Sequence, residues 1–454
     1  MSDTGGSSAE DGGEGSESGP TDGDVLETDG EGAFDPIEVF PETGEPDLRP
    51  GADDCYKCST CDTNCPVAAV DEEFPGPKFQ GPEQWRLKRR EDHDIDPSIT
   101  KCSNCMRCDH ACPTGVPLSQ QHNTARAEYV AQQVSRFSRE YWRNRLLANY
   151  GTMARLGSRV PRLTNAVMGL SATKWLNERV LGITSEREFP EFATETFREW
   201  WADRGGARVS SEEKRIAYFH GDYANYNTPE VGKALVRVFE SFGYEVAVPD
   251  QRCSGTPMFA NGMLEDARRA ATFNVEAFRE LVEDGYDVVC SCTSCSFALR
   301  QEYLELFDLK GVETVATNTY DAVEYLRIYE DLEGALAEAS GDDGQPAAFA
   351  YHTPCHARNQ GLDGQTVELG DAVDGLEVHD VGDSCSGISG TYGWKRERYE
   401  TSMTIGAEMF EHIERADADT GLTECPTCAM QMEHGTGYEV RHTLEVLADV
   451  LLEQ

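Results

Sequence analysis

The sequence predicts an α+β and α/β multidomain protein, with a small cysteine-rich helical unit first, a helical connector next and two α/β repeats last. Three observations predict it. Two runs of cysteines at steps of three, each closed by proline, lie between residues 55 and 113. Apolar residues recur at steps of three and four in the middle of the chain, as they do along one face of a helix. Beyond residue 211, Cys253 recurs as Cys385 and Cys292 as Cys425, a period near 133 residues and long enough for each copy to be a small domain.

Residues 1–50 hold fifteen acids, with Arg49 as their one base, and are predicted to be a disordered acidic tail. The whole chain of 454 residues carries a formal charge of −42, and only nine of its forty bases are lysine. Such a composition suits a salt-filled, halophilic cytoplasm, where screening relieves self-repulsion. A surface this acidic repels phosphate backbones, which excludes nucleic acid as a partner. No run of eighteen apolar residues and no secretory leader occurs, so a cytoplasmic or membrane-peripheral protein is expected. In that compartment the chain's 16 cysteines point to metal ligation or redox chemistry rather than disulfides.

The unit at 51–130 contains CYKCSTCDTNCP and CSNCMRCDHACP, each a C-x2-C-x2-C-x3-C-P run of the ferredoxin type. In such runs the first three thiolates hold one cluster and the fourth, before proline, reaches the neighbouring one. One [4Fe–4S] cluster is therefore assigned to Cys55, Cys58, Cys61 and Cys112, and the other to Cys102, Cys105, Cys108 and Cys65. Two zinc knuckles are the alternative.

The connector at 131–210 reverses the charge, since Arg136–Gly182 carries nine bases against Glu140 and Glu178. Trp142, Leu146, Tyr150, Met153, Leu156, Val160, Leu163, Val167 and Leu170 give an apolar stripe opposite arginines, and Pro161 should break or kink the run. Such helices lie on an anionic membrane surface, dock on an acidic partner, or pack the stripe on the protein's own domains.

The repeats at 211–335 and 345–454 each open with an apolar run (IAYFHGDY, AAFAYHTPC), followed by helix and strand patterns, which places their cysteines on loops at strand ends. The second repeat supplies Cys355, Cys385, Cys425 and Cys428, a full thiolate set for a further iron–sulfur cluster. The first supplies Cys253, Cys292 and Cys295, and Asp222 stands where Cys355 stands in the second copy. Asp222 or the nearby Cys290 is the candidate fourth ligand of that site.

From Cys55 to the C-terminus the chain resembles the C subunits of anaerobic glycerol-3-phosphate dehydrogenases, within the heterodisulfide-reductase-like proteins that carry two cysteine-rich CCG domains. The resemblance rests on the two cysteine runs and on FPGPKFQGPE, FHGDYANYNTPEVGKAL, RCSGTPMFANG, YHTPCH and CSGISGTYGWKRERY. The adjacent cysteines that name the CCG domain are Cys253–Ser254 and Cys385–Ser386 here, which counts against a non-cubane cluster. The resemblance implies an electron-transfer protein that receives electrons from flavin-containing dehydrogenase subunits. It passes them towards a membrane quinone at the cytoplasmic face, without oxidising substrate itself. The sequence agrees in having no G-x-G-x-x-G turn for a dinucleotide. An iron–sulfur subunit of a lactate or glycolate dehydrogenase, a thiol–disulfide reductase, and a non-redox iron–sulfur or zinc scaffold are the alternatives.

Overall fold

The computed structural model describes residues 54–90, 93–340 and 347–452, so the tail read as disordered lies outside the described residues. The first repeat opens on β1 (Arg215–Phe219), an apolar strand buried from Ile216 onward. Burial on both faces is what a central parallel strand requires. The helix Pro229–Ser241, with Pro229 in its first turn, leads to β2 (Glu245–Ala247). The helix Leu264–Glu283 leads to β3 (Asp287–Cys290), and β4 (Thr319–Asp321) completes a parallel sheet of order β2-β1-β3-β4.

The second repeat builds the same sheet from β5 (Ala347–Tyr351), β6 (Leu376–Asp380), β7 (Thr420–Leu422) and β8 (Glu439–Arg441), in the order β6-β5-β7-β8. The likeness extends to side chains. Tyr218 bonds Ser291 at 2.8 Å, and at the matching positions Tyr351 donates to Glu424 at 3.0 Å. In both sheets the chain crosses to one side of the first strand and then returns to the other. That arrangement opens a crevice beyond the carboxyl ends of the two central strands.

The repeats share a core. Leu444 and Leu447, on the closing helix Thr443–Leu452, are buried with Leu235 and Phe239 of the first repeat. Phe197, on a helix (Phe197–Asp203) read from the sequence as connector, is fully buried in that core with its ring 5.3 Å from Tyr218. This connector helix thus packs into the first repeat's core, because an amphipathic helix goes where its aromatic face finds cover.

Asp321 caps the helix Ala322–Tyr329 by accepting from the Val323 amide at 3.1 Å, with Glu324 closing a capping box. Burial, aided by the nearby carboxylates Glu424 and Glu324, pushes its carboxyl up to about 7. The folded state then binds a proton that the unfolded chain has released, so this group's stabilisation is lost as pH rises from about 4 towards 7. Asp321→Asn keeps a capping oxygen and removes the proton, and its melting temperature is expected to fall less with pH over the upper part of that window. Asp321→Ala should cost about 1 kcal/mol at the acid end of that window, where the carboxyl is protonated in both states, and less as pH rises through it. Equal slopes for Asp321→Asn and the unaltered protein would show the carboxylate to be ionised throughout.

The N-terminal unit has short helices and, among the described residues, no strand. Its helix Leu118–Gln132 carries the buried Arg126, which donates to Cys102 O at 3.3 Å and Phe259 O at 3.3 Å and so ties this unit to the first repeat. The connector helices are Arg139–Ala148, Tyr150–Gly157, Pro161–Met168 and Ser171–Leu181. Pro161 breaks the run and opens the third of them. Arg143 pairs with Glu397 at 2.7 Å and Arg145 with Asp266 at 3.2 Å, so part of the arginine face docks on both repeats. Much of the apolar stripe instead stays exposed, from Met153 to Leu170.

Candidate iron–sulfur centres and a central chamber

Each cysteine run turns through residues with the backbone in the left-handed region. Lys57 and Ser59 flank Cys58, and Asn104 and Met106 flank Cys105, all with φ between 59° and 63°. A non-glycine residue pays roughly 1–2 kcal/mol for that conformation, and four at matched positions mark strain concentrated where a loop must wrap round something. The FPGPKFQGPE segment braces the first loop from outside: the Lys78 amide donates to Asp62 Oδ1 at 3.0 Å, and Lys78 Nζ donates to Ser59 Oγ at 2.6 Å.

The structure brings the thiols together in crossed sets. Cys55, Cys58, Cys61 and Cys112 line one small cavity, and Cys65, Cys102, Cys105 and Cys108 line another. Burial pushes Cys61 up to about 12 and carries Cys65 and Cys108 well above the usual thiol range. These thiols give up their protons only to a strongly bound cation, so metal uptake here releases protons. Behind the second set lies His122, whose Nε2 is 3.0 Å from Pro77 O and whose Nδ1 is 3.8 Å from Cys102 Sγ. Burial pulls this histidine down to about 4, which keeps it neutral. Nothing in the sequence pattern around QQHN marked it.

The thiols of the repeats sit at the crevice of each sheet. Cys355 follows β5, Cys425 and Cys428 follow β7, and Cys385 lies on the loop after β6. Cys385 packs in one buried cluster with Cys355 and Cys105, and their mutual interaction lowers those two below the usual thiol range and raises Cys385. Cys105 belongs to the second ferredoxin-type set, so two sets meet at this contact. Asp383 fastens the joint by accepting from Arg107 at 3.1 Å and from Arg358 at 2.8 Å.

In the first repeat Asp222 follows β1, Cys253 lies beyond β2, and Cys292 and Cys295 follow β3. Asp222, Cys253, Cys292 and Cys295 line the chamber together. Burial raises Asp222 to about 6, and its Oδ2 is buried with no partner. Gly151 of the connector lies so close that any side chain there would strike this carboxylate. An orphaned acceptor beside three thiols fits a bound metal group. Cys290 is fully buried among apolar core residues of β3 and does not line the crevice. Ser254 Oγ lies 3.4 Å from Cys295 Sγ, and Ser386 Oγ lies 3.5 Å from Cys428 Sγ. Where the CCG pattern has its second cysteine, this chain thus presents a hydroxyl to the last sulfur of each set.

Among the described residues no three His, Cys, Asp or Glu side chains close on the spacing of a single metal ion. The thiols instead ring cavities, as ligands of a polynuclear core do. Both repeat sets open on one central chamber of about 400 Å³. Its walls come from every unit: Cys105, the connector residues Tyr150 and Met153, and Thr391 and Trp394 of the GISGTYGWK segment. The buried Arg187 holds that segment in place by donating to Gly393 O at 2.8 Å and to Ser402 Oγ at 3.1 Å. The cysteine loops touch across the chamber wall, where His356 Nδ1 is 2.8 Å from Ser294 Oγ.

The 4Fe-4S dicluster domain family matches residues 51–116, and the cysteine-rich CCG domain family matches residues 216–300 and again 349–433. The chain is 35% identical over 410 residues to the C subunit of the anaerobic glycerol-3-phosphate dehydrogenase of Escherichia coli (strain K12), covering 88% of this chain and 98% of that one. It is 30% identical over 226 residues to the B subunit of the fumarate reductase (CoM/CoB) of Methanothermobacter marburgensis, covering 48% and 42% of the two chains. Over 236 residues it is 32% identical to the lactate utilization protein A of Shouchella clausii, covering 48% and 92%.

Proposed function

Because the chain belongs to the family of anaerobic glycerol-3-phosphate dehydrogenase C subunits, iron–sulfur electron-transfer proteins, we propose that it serves a glycerol-3-phosphate dehydrogenase complex in this role. Its partners are flavin-containing dehydrogenase subunits that oxidise the substrate, and its acceptor is a membrane quinone at the cytoplasmic face. The observation that carries this reading is the unbroken series of thiol sets from the outer cysteine loop, through the inner one and across the Cys105–Cys385 contact, to the chamber. Iron–sulfur clusters bound there would take up and release electrons one at a time. Two of those clusters are of the [4Fe–4S] type, held by the crossed ferredoxin-type sets. A third is held by Cys355, Cys385, Cys425 and Cys428, and the first repeat offers a fourth site through Cys253, Cys292, Cys295 and Asp222. The chain's own part is to hold the inner sulfurs apart from water, Cys58 of the outer loop alone being exposed, and to place positive charge, from Arg358, beside Cys105 and Cys355.

The lactate-utilization relatives match only about half of this chain, whereas the glycerol-3-phosphate relative spans 88% of it, which favours the latter partner. Among the described residues no helix is long and apolar enough to cross a membrane, so the reading is a peripheral one. The charge of −42 fits work in a salt-rich, halophilic interior. Anaerobic purification from the native cell should bring down a flavoprotein, and glycerol 3-phosphate should then bleach the cluster absorbance. Bleaching by lactate alone would transfer the protein to the other dehydrogenase class. Zinc without sulfide, or clusters that cannot be cycled, would make it a scaffold.

A further inference from the structure

The connector helices Pro161–Met168 and Ser171–Leu181 contain no buried residue at all. They form a wall one helix thick with two distinct faces. Thr164, Met168, Thr173 and Asn177 line the central chamber. Leu163, Val167, Trp175, Leu176 and Val180 point away from it and are 43–64% exposed. Met153 belongs to both surfaces, lining the chamber while 40% exposed, so the chamber reaches the outside there. Arg159, Arg162 and Arg179 are exposed among the outer apolar residues, and none of them makes a carboxylate ion pair among the described residues. Exposed apolar side chains gathered on one face, rather than scattered singly, mark an interaction surface.

We propose that this wall is a portal. Its outer face sits in the headgroup–acyl boundary of an anionic bilayer, and the chamber behind it receives a lipid-soluble, tailed quinone directly from that bilayer past Met153. The proposal rests on the reading of the chain as a quinone-directed protein, and it adds where the carrier enters and which residues meet it. Charge complementarity selects the bilayer as occupant, because Arg159, Arg162 and Arg179 stand exposed beside the ridge without carboxylate partners among the described residues, in a chain of −42. In concentrated salt the arginines are screened while apolar burial persists, so the ridge supplies most of the binding. A quinone ring admitted past Met153 meets Thr164 and Met168 on the chamber side of the wall, and its tail runs out between the helices into lipid.

The test uses the anaerobically purified, cluster-loaded full chain with phosphatidylglycerol vesicles in molar potassium chloride. Its probe is a photoreactive naphthoquinone with an isoprenoid tail, dissolved in the vesicles. The expected label falls on peptides containing Met153, Thr164 or Met168. Leu163→Glu combined with Val167→Glu should weaken vesicle binding about tenfold or more with the clusters retained. Met168→Trp should keep vesicle binding within about twofold and cut labelling about tenfold, whereas Met168→Leu should preserve both. Labelling unchanged in Met168→Trp would overturn the chamber as the quinone's site. Vesicle binding unchanged in the double variant would overturn the ridge as a lipid surface. Vesicle binding seen only with the dehydrogenase subunits present would make the ridge a protein-docking face and overturn the portal. None of these readouts needs glycerol 3-phosphate, so failure of substrate to bleach the clusters of the intact complex would count against the function alone.

Discussion

Replacing Cys65 by serine is expected to remove the cluster assigned to Cys102, Cys105 and Cys108 while leaving the one that shares its own sequence run. Cys65 is 8% exposed and lines the cavity of the second set, with Cys105 and Cys102 the nearest thiols acting on it. Cys112 does the reverse, lining the first cavity from the second run. Changes one shell away from a metal commonly cost about 10–100-fold in affinity, and loss of a ligand outright costs more. Low-temperature electron paramagnetic resonance of the dithionite-reduced protein should show one cluster signal lost and the magnetic coupling between neighbours abolished. Cys112→Ser should delete the other signal. If Cys65→Ser spares the second set and deletes the first, the ligands are not crossed.

The second large effect is expected at Cys385, which joins two sets through Cys105 and Cys355. Cys385→Ser should lower bound iron by one cluster's worth, with the ferredoxin-type clusters still reducible by the dehydrogenase subunits but no longer reoxidised at speed by a quinone. Iron and sulfide counting together with stopped-flow absorbance reads both effects. Cys290→Ala is the matched control, a fully buried β3 residue whose truncation should cost stability in proportion to the small cavity left behind and no iron. Unchanged iron in Cys385→Ser, or iron lost in Cys290→Ala, would reverse the assignments of those two residues.

The parts of the molecule legible in the sequence are those set by spacing. Steps of three between cysteines decide how a loop can wrap, and the period near 133 residues places Asp222 opposite Cys355, so both are readable without coordinates. The strand-like runs at IAYF and AAFAY become β1 and β5 for the same reason, as continuous apolar stretches suit strands covered on both faces. Contacts between units were not legible. Nothing local to Cys105 says that Cys385 lies against it, and Arg187, whose acceptors lie on the GISGTYGWK segment and the helix after it, reads as one more surface charge until packing buries it. The connector stripe was legible as a pattern but not in its direction. Leu146 and Tyr150 turn to the chamber while Leu156 and Leu163 turn outward, a choice made by the repeats that receive Arg143 and Arg145.

The helix Thr443–Leu452, which closes the first repeat's core although it belongs to the second, imposes an order on biogenesis. While the ribosome is still making residues 345–440, the first repeat has its whole sheet but an uncovered flank at Leu235 and Phe239. It therefore waits as an incomplete domain, with an apolar surface that a holding chaperone would recognise. Only when residues near 447 emerge can Leu444 and Leu447 cover that flank. Metal loading inherits the same schedule. The ferredoxin-type loops are synthesised first, whereas the chamber, whose walls come from every unit, is complete only once the second repeat's cysteine loops and His442 are in place.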